Sequence, residues 1–231
     1  MMSNRSLQQD VLAANLELAA RGLAYGTFGN ASGVDREAGV VAIKPSGVEY
    51  GELSTHDISI VALGDGEHLD GLRPSSDTPT HLELYRAFTR IGGVAHTHST
   101  YATSWAQAGR PIPCLGTTHA DYVYGPIPCT RPLSDDECGD EYERVTGAAI
   151  IEALGDCDPA SVPAVLVALH GAFTWGDSAV HAVAHAAAVE QIARLAFNSI
   201  LIDPSLDPIP GTLLDRHFRR KHGPNAYYGQ P

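Results

Sequence analysis

His96-Thr97-His98 closes the short apolar run Gly92-Gly93-Val94-Ala95. In a strand, residues i and i+2 share a face about 7 Å apart by backbone rise, so the two imidazoles can converge on one ion while Thr97 faces away. Val162 to Leu169, a second apolar run, also ends in a histidine, His170. Three neutral imidazoles and an open position suit a catalytic Zn²⁺. The competing account is half-buried, hydrogen-bonding strand histidines. His181 and His185 stand i, i+4 as in zinc proteases, but Ala182 occupies the place of the glutamate, so an ordinary helix surface is the better account. His56, His68 and His81 have no partner pattern and are expected to be solvated.

Ile43-Lys44-Pro45-Ser46-Gly47 supplies a cation, a hydroxyl and a glycine whose N–H can approach an anion. Pro74-Ser75-Ser76-Asp77 precedes an expected helix, where free N–H groups and the macrodipole favour phosphate. Together they suggest one phosphorylated small molecule; singly, each also reads as a plain turn or N-cap. Gly26 to Gly33 is a third glycine-rich segment. Asp121, in Thr117-Thr118-His119-Ala120-Asp121, is either a general base or a loop cap. Tyr227 and Tyr228 are equally open, since a tyrosine serves as acid or base only where a cation lowers its pKa from about 10.

The elements that must position these groups follow from periodicity and punctuation. Leu7, Val11, Ala14 and Leu18 predict a helix over 6–21, capped by Gly22. Val40–Ile43 and Ile58–Leu63 predict strands, with Asp65-Gly66 as a hairpin turn. Ser76-Asp77-Thr78-Pro79 starts a helix expected to run to about Arg90. Asp177 is expected to cap an Ala-rich helix reaching about Phe197. A last helix from about Thr212 ends in Arg219-Arg220-Lys221-His222 before Gly223-Pro224. Strands in hairpins and beside helices predict an α/β or α+β class with a mixed or mainly antiparallel sheet.

The 231 residues carry 15 Lys plus Arg against 27 Asp plus Glu, a net charge of −12, which argues against nucleic acid and anionic membrane partners. The apolar runs fall short of the ~20 residues of a membrane span, and Met1–Arg21 lacks a signal peptide's apolar stretch, so a cytoplasmic location is expected. Cys114, Cys129, Cys138 and Cys157 form no C-x-x-C pair and read as ordinary thiols in a reducing compartment. No G-x-G-x-x-G or Walker lysine loop is present.

Taken together, these segments resemble the class II (metal-dependent) sugar-phosphate aldolase and epimerase family. The likeness runs nearly end to end, through Gly29-Asn30, Lys44-Pro45-Ser46-Gly47, Pro74 to His81, His96-Thr97-His98-Ser99, Gly116 to Tyr122, Ile127 to Thr130, His170-Gly171 and Arg220 to Gln230. The T-T-H-A-D-Y segment and the Tyr-Tyr-Gly-Gln ending are similar to the epimerases rather than the aldolases. The departures, Ala172 and Pro231, touch no expected role.

The resemblance implies that His96, His98 and His170 hold zinc with Asp77 as a further ligand, with Mn²⁺ or Co²⁺ as substitutes. It implies Asp121 and Tyr228 as the acid/base pair, and Gly29, Asn30, Ser46, Gly47, Ser75 and Ser76 as substrate contacts, chiefly to phosphate. It implies a three-layer α/β/α sandwich around a mostly antiparallel sheet, one domain over 1–231, in a homotetramer with sites at subunit interfaces. The tail, about 212–231, would bring Tyr228 to the neighbouring subunit's site.

The implied activity interconverts L-ribulose 5-phosphate and D-xylulose 5-phosphate. Carbon 4 of the pentulose is not acidic, so inversion there needs retro-aldol cleavage of C3–C4, rotation of glycolaldehyde phosphate and re-addition, with acid/base groups on opposite sides. Arabinose, ascorbate and xylulose catabolism all need this step. Rival expectations are a class II aldolase that releases the aldehyde and a Schiff-base aldolase using one of two lysines, Lys44 or Lys221. A non-catalytic module is a third, since this fold also occurs in cytoskeletal proteins.

Overall fold

The computed structural model describes residues 4–223 and 226–228. Pro224, Asn225, Gly229, Gln230 and Pro231, part of the expected helix stop and tail motif, lie outside the described residues.

In chain order the elements are α1 (Asn4–Ala20), β1 (Asn30–Asp35), β2 (Val40–Ile43), β3 (Ser59–Ala62), β4 (His68–Asp70), α2 (Thr78–Ala87), β5 (Gly93–Thr97), α3 (Thr100–Gln107), α4 (Thr117–Ala120), α5 (Tyr142–Leu154), β6 (Ala164–Leu166), β7 (Ala172–Gly176), α6 (Ala179–Ile202) and α7 (Gly211–Lys221). The strands form one sheet in the order β4-β3-β2-β1-β5-β7-β6, with every ladder antiparallel.

Period-two alternation divides the core. Val40 and Ala42 of β2 join Ala31, Ile60 and Ala95 beneath α1 and the first half of α6. Val41, Val61, Val94, Phe173 and Trp175 face the other way, against α2, α3 and α5. Helices therefore cover both faces of the sheet. No described helix is long and apolar enough to cross a membrane.

The expected boundaries hold best where punctuation is strong. α1 closes as foreseen: Gly22 takes φ +67, while Gly22 N–H donates to Ala19 O and Leu23 N–H to Leu18 O, a Schellman pair. α2 ends at Ala87 rather than Arg90, because Phe88 has left helical geometry. The strand expected over 162–169 is only Ala164–Leu166, and His170 sits in the turn to β7 rather than at a strand end. Val167 N–H donates to Gly171 O there, and Leu169 takes φ +64, a left-handed conformation that costs a non-glycine residue about 1–2 kcal/mol.

Asp177 is not the cap of α6. Ser178 is, accepting from His181 N–H, and Asp177 pairs with the His181 ring. His185 Nδ1 lies 2.6 Å from Trp175 O, so this pair serves local structure. All four cysteines are free. The clearest correction is His81, expected to be solvated and instead fully buried. Its Nδ1 lies 2.7 Å from Ser32 Oγ, itself 2.8 Å from Tyr85 Oη, and burial pushes its pKa down to about 4.

Candidate metal and phosphate site

The sheet order brings three chain segments to one edge. Asn30 at the start of β1 pairs with His96 near the end of β5, and His96 pairs with Phe173 at the start of β7. His170 hangs just before β7, so it meets the β5 histidines although 72 residues separate it from His98. The nearest ligand atoms of His96, His98 and His170 all lie within 4.8 Å of one another, and His96 Nε2 is 2.9 Å from His98 Nε2. His96 Nδ1 is 3.0 Å from Ala172 O, which leaves Nε2 as the lone pair facing its neighbours. The His96 ring stacks on Phe173 with centroids 4.2 Å apart.

Protonation favours cation binding. Burial drives the His96 imidazole down to about 3 and lowers His98 and His170 as well. Burial alone would raise the Asp77 carboxyl, but the Asn30 hydrogen bond and the nearby histidines, in their protonated forms, bring it below its ordinary value. The three neutral imidazoles form a deprotonated donor set, as a divalent ion requires, and Asp77, outside that cluster, lines the same cavity. Asp77 stands at the N-cap of α2 without capping it. Its Oδ2 instead accepts from Asn30 Nδ2 at 2.6 Å.

The two serine segments form one structure. Pro45 and Pro74 make an antiparallel bridge, Ser46 N–H donates to Arg73 O, and Ser75 N–H donates to Lys44 O. Gly29, Asn30, Ser46, Gly47, Ser75 and Ser76 then line one cavity of about 340 Å³ with Asp77, His96, His98 and His170. Asn30 Oδ1 is buried with no partner among the described residues, an acceptor free for a ligand hydroxyl. Lys44 also lines the cavity, but its Nζ donates to Val48 O at 2.7 Å and burial lowers its pKa. The donor set and the serine loops fit a divalent cation beside a phosphate.

Asp121 and Tyr228 are not among the residues lining this cavity. They meet at α7, where Arg220 donates Nε–H to Asp121 Oδ1 at 3.0 Å and Nη2–H to Oδ2 at 2.6 Å. The same guanidinium lies 4.4 Å from the Tyr228 ring centroid. His217 Nδ1 is 3.1 Å from Asp121 Oδ1, and His222 Nε2 is 3.0 Å from its carbonyl. Burial would raise the Asp121 carboxyl, but Arg220, His217 and Lys221 hold it below the usual carboxylate range. The basic end of α7 thus does more than complement its own helix terminus.

Sequence reasoning missed Tyr142, whose Oη lies 3.2 Å from His170 Nδ1. No motif marks it; only its place at the start of α5 brings it there. Phe28, exposed at the cavity mouth with its ring 5.8 Å from that of His98, carried no signal beyond the glycines around it.

A sequence model of the family described as Class II Aldolase and Adducin N-terminal domain matches residues 9–197. The chain is 52% identical over 227 residues to the L-ribulose-5-phosphate 4-epimerase UlaF of Salmonella paratyphi B, covering 98% of this chain and 99% of that one. The protein of that name from Salmonella typhi is likewise 52% identical over 227 residues, with the same coverage. Among solved structures, an L-fuculose 1-phosphate aldolase superposes with a TM-score of 0.82 at 24% identity, covering 95% of this chain and 97% of that one. The L-fuculose-1-phosphate aldolase of Thermus thermophilus gives 0.68 at 23% identity, over 88% and 100%. These two likenesses, at low identity, speak for the fold. With a family match over most of its length and relatives at 52% identity, the chain belongs to the class II aldolase and adducin N-terminal domain family.

Proposed function

We propose that this chain is a divalent-metal-dependent epimerase that interconverts L-ribulose 5-phosphate and D-xylulose 5-phosphate, working with Zn²⁺ and accepting Mn²⁺ or Co²⁺. The observation that carries the reading is the meeting of three neutral imidazoles, an ionised carboxylate and two bridged serine loops in one cavity. The name of the 52% identical relatives supplies the substrate.

His96, His98, His170 and Asp77 would hold the cation, which when bound supplies Lewis acidity to the oxygens of the ketose. Ser46, Gly47, Ser75 and Ser76 would keep the phosphate in place with Gly29, while Asn30 accepts from a sugar hydroxyl. Asp121, ionised at neutral pH, would take the proton from the C4 hydroxyl as the C3–C4 bond breaks and its electrons move toward C2, its basicity set by how firmly Arg220 holds it. With its phosphate held, the aldehyde fragment turns its other face to C3. The bond re-forms there, and Tyr228 returns a proton to the C4 oxygen.

Asp121 and Tyr228 stand at α7 and outside the cavity lining, which supports an assembly in which they complete a neighbouring subunit's site. We read the protein as a cytoplasmic homotetramer, each chain one domain over 1–231 whose tail, about 212–231, serves that neighbour. The test is a coupled assay of D-xylulose 5-phosphate formed from L-ribulose 5-phosphate, before and after chelation and metal return. Loss and recovery of turnover supports the reading. Accumulation of dihydroxyacetone and glycolaldehyde phosphate without epimer would make the protein an aldolase.

A further inference from the structure

His170 is held differently from its two neighbours. His96 belongs to β5 and His98 follows it directly, whereas His170 rides on a two-strand turn beside the left-handed Leu169. An imidazole in such a turn can expose either ring nitrogen, and a ligand must offer one of them deprotonated. His96 solves this by setting Nδ1 against Ala172 O. For His170 the oxygen at Nδ1 is Tyr142 Oη, at 3.2 Å, with the rings tilted and their centroids 6.2 Å apart.

Tyr142 is itself braced. It opens α5, where its carbonyl accepts from Thr146 Oγ1 at 2.8 Å. The next residue, Glu143, accepts from Thr80 Oγ1 of α2 at 2.6 Å, which ties this end of α5 to the first turn of the helix that Asp77 precedes.

We propose that Tyr142 is a positioning residue of the metal site, its hydroxyl oxygen accepting the His170 Nδ1–H so that Nε2 stays deprotonated and faces the cation. The inference rests on the metal-site reading above and adds a residue to it. Tyr142 is not among the residues lining the cavity; it acts through His170.

The test compares the parent and Tyr142→Phe as metal-free proteins titrated with Zn²⁺ against a chromophoric chelator. The expected result is a roughly 10- to 100-fold weaker Zn²⁺ affinity, with the thermal midpoint of the metal-free protein unchanged. Nitrogen-15 NMR of the ring adds a signature that loosened packing would not produce: the Nδ1–H tautomer of His170 in the parent, and its depletion in Tyr142→Phe. Equal affinity in the two proteins overturns the proposal, as does weaker affinity with an unchanged tautomer. A parent that takes up no Zn²⁺ removes the metal-site reading itself, and the proposal with it.

Discussion

His96 Nε2 and His98 Nε2 face each other at 2.9 Å, with the His96 ring fully buried and its other nitrogen engaged by Ala172 O. Two imidazole nitrogens at that distance must share either a proton or a cation. Burial disfavours a second, charging proton on the pair, so the His96 Nε2 lone pair is left to a neutral His98 N–H or to a cation. Chelation is expected to abolish epimerase turnover, and one equivalent of Zn²⁺ per chain to restore it, measured by coupled assay alongside metal content. Full activity at undetectable metal would sink this expectation.

Asp121→Asn and Tyr228→Phe are each expected to lower kcat by about 10²- to 10⁴-fold with metal content unchanged. If the pair serves a neighbouring subunit, co-refolding Asp121→Asn with His98→Asn restores part of the activity that either protein lacks alone. Mixed assemblies as inactive as the separate variants would put both groups in one chain's site.

Ser46→Ala and Ser75→Ala each remove a hydroxyl from the bridged loops. A hydrogen bond to a charged group is worth about 1.5–3 kcal/mol, so KM for the sugar phosphate should rise roughly 10- to 100-fold. The same variants should lose little on an unphosphorylated pentulose, and that comparison checks that phosphate is the partner.

Gly171 has no room for a side chain: a Cβ there would lie 2.6 Å from Thr97 O and 3.2 Å from His96 Cε1. Gly171→Ala must push the β6–β7 turn away from β5 and carry His170 with it. A loss of about 1–3 kcal/mol of stability and weaker Zn²⁺ binding are expected together, read by urea unfolding and metal titration.

Stability of the metal-free protein should fall with acid well above the usual carboxylate range. His81 titrates at about 4 in the fold but near 6.5 in an unfolded chain, so between those values the unfolded state binds the extra proton. The stability is whole above pH 6.5 and is lost as the pH falls toward 4, by about 3 kcal/mol for His81 alone. His81→Gln should flatten the urea midpoint over that window; an unchanged slope would refute the assignment.

Most of the residues that line the cavity were legible in the sequence because their segments are short and locally marked. Two histidines at i, i+2 on a strand share a face wherever the strand goes, and Ser-Gly and Ser-Ser-Asp segments mark turns and helix starts by their own chemistry. What it did not carry is set by distant contacts. His81 looks like any polar helix residue until Ser32 and Tyr85 close around it. The bridge joining the two serine loops depends on which strands neighbour each other. Strand length failed at His170 because an apolar run continues into a hairpin turn as readily as into a ladder. Arg220 read as a helix-end charge because its partner, Asp121, lies 99 residues away.

Arg220, His217, His222 and Tyr228 all lie beyond residue 197, where the match to the shared family domain stops, while His96, His98, His170 and Asp77 all lie within it. The residues lining the cavity thus lie wholly within the matched domain, whereas most of those that surround Asp121 follow it. The groups packed around Asp121 and the groups that line the cavity therefore come from different stretches of the chain, so exchanging the last helix and tail alters one set without touching the other.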